Sequence, residues 1–451
     1  MHDLTSGSIS RHLLTTTSFM LVTMIFQTLY FLVDLYWVGR LGKEAVAAVG
    51  VAGNLTFVVL AITQMLGVGT TTLVSHAAGR KDRARALLIF NQSQVLAIVV
   101  ALLFLVIAMA LRTRYATLMS ADPLTARMAA DYLLWYLPAM ALQFAVSAMS
   151  AALRGAGNFK PSMVVQTATV ILNMVLAPFL IFGWQSVPAM GVIGAAVSTF
   201  IAVGVGTVWL SLYFVKADAM LVFVPADWKP QLRLWSAMLK IGLPAGAEFF
   251  LMAVYLFVVY AISRPFGAAA QAGFGIGMRL VQSGFLPVVA LGFAVASVAG
   301  QNVGAQAADR VRHTFKVAAA FAAAAMAGLT VIFQVAPEAM IRFFSDDPLV
   351  VAVGREYLLI VSWSFVASGI TFVGSSMFQA MGNTMPALIT SLVRIVVVTI
   401  PAFVLARVPG FELRWIWYLA VVSILLQLAT NLLLLRREFR LRLDAVPARA
   451  A

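Results

Sequence analysis

Long apolar runs separated by short polar joints make up nearly the whole chain. Twelve runs fall at approximately 13 to 38, 46 to 74, 87 to 111, 129 to 153, 162 to 183, 189 to 215, 237 to 263, 270 to 299, 315 to 335, 352 to 378, 387 to 406 and 415 to 435. Each holds the roughly 20 apolar residues that a helix needs to cross a bilayer. Membrane strands would instead read as segments of about 10 residues with strict alternation, and the sequence has no such segments. The expected fold is an all-α integral membrane protein with twelve transmembrane helices.

Polar positions inside the runs are sparse and regularly placed. In the first run Thr23, Gln27, Tyr30 and Asp34 recur at intervals of four, three and four, which puts them on one face of a helix. An acid at mid-bilayer costs roughly 2.5–3.5 kcal/mol on insertion scales, so Asp34 is a functional candidate that should face a cavity or a neighbouring helix. Glu248, Arg279 and Arg394 are the other charges placed deep within runs, away from their ends. Glu248 and Arg279 lie at similar depth in adjacent runs, where an ion pair would compensate both. The alternative is that Glu248 is a second coupling or substrate carboxylate. The tenth run presents Ser364, Ser368, Thr371, Ser375 and Gln379, and the fourth Tyr136, Gln143, Ser147 and Ser150. Such stripes line a water-filled path or bond helices to each other.

The chain also repeats itself at a constant offset of 225 residues. Ser120 to Leu134 and Ser345 to Leu359 are identical at seven of fifteen positions, and Gly42, Ala45, Ala47 and Gly50 match Gly267, Ala270, Ala272 and Gly275. Six runs per copy is an even number, so two pseudo-symmetric six-helix lobes should enter the membrane in the same direction. The expected boundaries are an N-lobe over 1–215, a cytoplasmic linker over 216–236 carrying Asp218, Pro225, Asp227, Lys229 and Pro230, and a C-lobe over 237–451 with a basic tail. The chemistry is not repeated: Asp34 matches Val259, Asn173 matches Val398, and Glu248 matches Thr23.

Composition agrees with this picture. Of 451 residues, 62% are hydrophobic and 11% charged, against about a quarter charged in soluble domains. The net charge of +14 reflects topology, not nucleic-acid binding: of 31 Lys and Arg, 19 lie on the side shared by the termini and 10 on the other. Both termini are therefore expected in the cytoplasm. Cysteine is absent, which removes disulfides and thiolate metal sites. His2, His12, His76 and His313 fall near cytoplasmic ends without clustered acids, so neither a cofactor nor intramembrane catalysis is expected. The first run is too long for a cleavable signal and should remain in the mature protein.

Basic joints follow the second and eighth runs at Gly79-Arg-Lys-Asp-Arg-Ala-Arg85 and Gly304-Ala-Gln-Ala-Ala-Asp-Arg310, reading as helix stops and topology signals. Arg154-Gly-Ala-Gly-Asn-Phe-Lys-Pro161 and Gln379-Ala-Met-Gly-Asn-Thr-Met-Pro386 read as tight turns, with Gly-Asn supplying positive φ. Together with the Asp34 helix ending in Val38-Gly-Arg-Leu-Gly42 and the two lobes, this order resembles the multidrug and toxic compound extrusion (MATE) transporters over nearly the whole chain. The resemblance implies a cation-driven antiporter exporting amphipathic, often cationic compounds. It implies that Asp34 takes part in ion or proton coupling, that Asn173 and Thr199 act with it, and that Tyr30 and Gln27 form a supporting polar face. The family commonly places an acid before the proline of the fifth span, where this chain has Ala177, and a proline in the first span, where it has Phe19. The missing carboxylate favours protons over sodium, although Asp34, Asn173 and Thr199 offer oxygens that suit a hard cation.

The reading is thus secondary active efflux by alternating access from a bacterial-type inner (plasma) membrane, by a monomer whose partners are small amphipathic cations and the bilayer. Two rivals remain. A flippase for lipids or lipid-linked oligosaccharides would need a cationic cavity, for which Arg279 and Arg394 are the candidates; an intramembrane enzyme lacks a catalytic constellation.

Overall fold

The computed structural model describes residues 2–120, 122–185, 188–216 and 221–444; Asp218 of the expected linker and residues 445–451 of the basic tail lie outside the described residues. The helices are α1 (Ile9–Gly39), α2 (Lys43–Gly53), α3 (Thr56–Gly79), α4 (Arg83–Met119), α5 (Pro123–Gly155), α6 (Lys160–Phe182), α7 (Val192–Val215), α8 (Leu232–Ser263), α9 (Gly267–Gly304), α10 (Ala308–Val335), the short α11 (Pro337–Arg342), α12 (Pro348–Val361), α13 (Phe365–Ala380), α14 (Met385–Leu405) and α15 (Arg414–Phe439). Among the described residues, eleven continuous stretches are long and apolar enough to cross a membrane, but one of them, Leu232–Gly304, spans 73 residues. It holds both α8 and α9, separated where Gly267 adopts φ 86°, which gives twelve crossings. The second crossing is broken between α2 and α3 at Asn54 and Leu55, and the tenth passes from α12 to α13 through a 3-10 turn at Ser362–Ser364.

The sequence repeat is also a backbone repeat. Positive φ occurs at Gly42 and Gly267, at Lys81 and Gln306, and at Gly157 and Gly382, each pair 225 residues apart. At the last pair the Asn158 N–H reaches the Leu153 carbonyl at 2.9 Å and the Asn383 N–H the Phe378 carbonyl at 3.0 Å, closing α5 and α13 with the same left-handed cap. The matching Asp-Pro pairs are helix starts. Asp122 accepts from the Thr125 N–H at 2.9 Å and Asp347 from the Leu349 N–H at 2.8 Å, while Pro123 and Pro348 occupy the first helical turn, where a missing N–H costs nothing.

The chain divides into two compact units, one of residues 1–3 and 18–246 and one of residues 4–17 and 247–451. In the first, α5 is central and packs against α2, α3, α4 and α7, with α6 on α7. Asn91 and Gln92 of α4 hold the segment leading into α8: Asn91 Oδ1 accepts from the Val224 N–H and the Trp228 indole, and Gln92 Nε2 donates to the Lys229 carbonyl at 2.7 Å. In the second, α9 packs against α10, α12 and α13, and α15 against α12, α13 and α14. There the segment leading into α1 is tied down, with the Leu4 N–H on Gln301 Oε1 at 3.0 Å and Arg310 Nη1 on the Gly7 carbonyl at 3.1 Å.

Candidate functional site

The first unit brings four of the sequence-selected residues together. α1 supplies Gln27 and Tyr30, α6 supplies Asn173, and α7 supplies Thr199; all four line one cavity of about 300 Å³ with Tyr136, Gln143, Gln166 and Thr169. Thr199 is the junction. Its hydroxyl lies 3.1 Å from the Ala195 carbonyl, 3.1 Å from Asn173 Nδ2 and 3.1 Å from the Tyr30 hydroxyl. One hydroxyl has one proton and two lone pairs, so Thr199 donates to Ala195 while Asn173 and Tyr30 donate to Thr199. Asn173 and Thr199 are 3% and 5% exposed, so these bonds are made out of bulk water.

With its amide nitrogen committed to Thr199, Asn173 turns its Oδ1 to a shielded position without a hydrogen-bond partner. Asp34, one helical turn beyond Tyr30, likewise has Oδ1 shielded and unpartnered. The site therefore has a surplus of acceptor oxygens, which a proton or a cation could satisfy. As a sodium site the donor set is thin. Thr199 has no lone pair free and Ala177, buried in an apolar cluster with Tyr132, Leu133 and Ala195, offers no side-chain oxygen, so of the three selected residues the Asp34 carboxylate and Asn173 Oδ1 remain, whereas hard cations gather several oxygens.

Gln27 reaches a wider polar network. It donates to Gln166 Oε1 at 3.2 Å, and Gln166 Nε2 donates to Ser162 at 2.8 Å and Ser150 at 3.1 Å. Sequence reasoning passed over Gln166 and Thr169. The signal was present, since Ser162, Gln166, Thr169 and Asn173 recur at four, three and four, the rhythm that singled out α1.

The second unit contains a cavity of about 270 Å³. Glu248 lines it, together with Tyr255, Ser368, Ser391 and Arg394, while Arg279 does not. Among the described residues, no ion pair joins Glu248 to Arg279 or to Arg394.

Comparison with known proteins is consistent with this architecture. The MatE family model matches residues 20–179 and 244–404, one block in each half of the chain. A probable multidrug resistance protein of Bacillus subtilis (strain 168), YoeA, is 26% identical over 403 residues, covering 88% of this chain and 87% of that protein. The multidrug export protein MepA of Staphylococcus haemolyticus (strain JCSC1435) is 27% identical over 408 residues, covering 90% and 88%. The crystal structure of a MATE protein in a straight conformation superposes with a TM-score of 0.91 at 22% identity over 98% of each chain. With the family model matching most of a twelve-crossing, internally repeated fold, the chain belongs to the MatE family.

Proposed function

We propose that this protein exports small amphipathic cations from the cell in exchange for protons, alternating the access of its cavities between the two sides of the membrane. The observation that carries this reading is the shielded, unpartnered Asp34 carboxylate oxygen one turn from a cavity in which the Thr199 hydroxyl already makes three hydrogen bonds. A group in that position exchanges its charge by taking a proton. With Asp34 ionised, the first unit attracts a cation; with Asp34 protonated, that attraction is lost. Proton and substrate are then mutually exclusive ligands, and the exchange is coupled provided that the two favour different access states. The names of the relatives, multidrug export and multidrug resistance proteins, support this substrate class. The scarcity of free oxygens at Asp34, Asn173 and Thr199 supports the proton over sodium. The excess of Lys and Arg on the side of the termini supports a cytoplasmic location for both, and the bacterial relatives support the plasma membrane. Nothing in the chemistry of the site requires a second copy of the chain.

The test is ethidium export from liposomes holding purified protein, with a proton gradient and a sodium gradient imposed separately, for wild type and Asp34→Asn. Export is expected with the proton gradient alone, and Asp34→Asn should fall to the leak of protein-free liposomes. Export by Asp34→Asn at the wild-type rate would sink the proposal. Export driven by sodium alone would transfer the coupling to a cation at Asp34, Asn173 and Thr199, and its absence under either gradient would favour the flippase.

A further inference from the structure

The two cavities occupy equivalent places in the repeat. Tyr30, Gln143, Gln166 and Thr169 line the first, and Tyr255, Ser368, Ser391 and Arg394, each 225 residues later, line the second. Each unit thus builds the same chamber with different chemistry. Where the first presents the neutral Thr169, the second presents a guanidinium.

Arg394 is not compensated in the usual way. An arginine inside a membrane helix normally pairs with an acid, yet Glu248 shares its cavity without forming an ion pair with it among the described residues. The guanidinium instead lies over the Tyr255 ring, 5.1 Å from its centroid. A hydrogen bond also joins the guanidinium to the Tyr255 side chain, which holds the group in place without taking up every N–H donor. One of these, Nε, is shielded and has no partner. Nε is one prong of the fork that grips a carboxylate by two parallel hydrogen bonds. A buried donor left without an acceptor carries a desolvation penalty, which an arriving anionic group would relieve.

We propose that the cavity of the second unit is a carboxylate subsite, in which Arg394 receives the anionic group of a zwitterionic substrate whose amine faces Glu248. The proposal rests on the export reading and sharpens its substrate class: molecules carrying an amine and a carboxylate are taken in preference to the corresponding simple cations. Tyr255 holds the guanidinium, and Ser368 and Ser391 line the same cavity. The first unit, with an acid and no guanidinium at the equivalent place, lacks this preference.

Equilibrium binding to purified protein in detergent tests the subsite without any gradient, so it stands apart from failure of the export reading. The probes are norfloxacin, which carries a piperazine amine and a ring carboxylate, and its decarboxylated analogue. Wild type should bind norfloxacin about tenfold or more tightly than the analogue, the effect of one charge-assisted hydrogen-bonded pair. Arg394→Gln should bring the two affinities within about twofold, and Arg394→Lys, which keeps the charge but not the fork, should give an intermediate ratio. Equal affinities in wild type would overturn the subsite even if Arg394→Gln did not fold. An Arg394→Gln protein that binds both probes more weakly but keeps the wild-type ratio would also overturn it, by showing that Arg394 only supports the fold.

Discussion

Thr199 is a small residue with a large share of the site's order, because three groups from three helices converge on one oxygen. Replacing it by valine keeps the shape and removes the acceptor. The Tyr30 hydroxyl and Asn173 Nδ2, which are bonded to Thr199 at 3.1 Å each, would then be stranded in a shielded place. Leaving one such donor unsatisfied costs about 1–3 kcal/mol. Thr199→Val is therefore expected to lower the thermal midpoint of purified protein and to slow export, whereas Thr199→Ser, which keeps the oxygen, should restore most of both. Equal behaviour of the two variants in a thermal-shift and transport assay would remove Thr199 from its role as junction. The resemblance singled out Asp34, Asn173 and Thr199, but the hydrogen bonds that join Tyr30 and Asn173 through Thr199 were not legible. The order of donors and acceptors depends on which helices are neighbours, and that information is not local in sequence. The same limit explains Glu248. Its depth suggested Arg279 as a partner, while the cavity it lines holds Arg394, which lies 115 residues further along the chain than Arg279.

Helices were more legible than their breaks. Every run of the sequence corresponds to helix, because an apolar segment in a bilayer has no other way to satisfy its backbone. Some helices overrun their apolar segments at both ends, as α4 does from Arg83 to Met119, since the ladder of hydrogen bonds continues wherever water or a cap can close it. The Asp-Pro pairs that announced the repeat are such caps. Bonds from Thr125 hold the Asp122 carboxyl below its ordinary range, so that cap is intact at neutral pH and is lost only as the pH falls into acid. Close approach of helices has a sharper consequence at α8. A Cβ built at Gly242 would fall on the Met65 carbonyl of α3, one at Gly246 would lie 2.7 Å from the Ala61 carbonyl, and one at Gly69 would meet the Met238 carbonyl. This is a small-residue crossing in which two backbones touch. Gly242→Val must push backbone against backbone, an overpacking cost of about 1–3 kcal/mol or more. Gly204→Val in α7, where a Cβ meets nothing within 4 Å, is the matched control. The thermal midpoint should drop for Gly242→Val and hold for Gly204→Val; similar midpoints would mean that α3 and α8 do not cross this closely.

At the scale of the molecule, the halves of the sequence and the units of the structure do not coincide. The repeat places one copy before the linker and one after it, yet residues 221–246 belong with the first unit and residues 4–17 with the second. Those segments are held by specific groups. Asn91 and Gln92 bind the backbone at residues 222–231, and Gln301, Asn302 and Arg310 bind it at Leu4 and Gly7. A chain cut between 216 and 221 therefore yields an amino-terminal fragment that lacks part of its own unit and carries part of the other. Produced alone, that fragment leaves the side-chain amides of Asn91 and Gln92 without their backbone partners and the glycine faces of α3 without α8. The carboxy-terminal fragment alone leaves Gln301 and Asn302 similarly bare. Buried polar groups without partners and uncovered helix faces are each costly, so neither fragment should accumulate as a monodisperse species by size-exclusion chromatography. Co-expressed, the two fragments restore every one of these contacts across two chains, and they should copurify through a tag on either one and export ethidium. A monodisperse amino-terminal fragment on its own would mean that residues 221–246 are a tether and not a structural part of the first unit. The exchange also bears on alternating access. α1 and α8 each begin in one unit and end in the other, and they are the helices that carry Asp34 and Glu248. Crosslinking the co-expressed fragments at the cut should leave export unchanged, because the chain passes from one unit to the other within α8 and not at the cut.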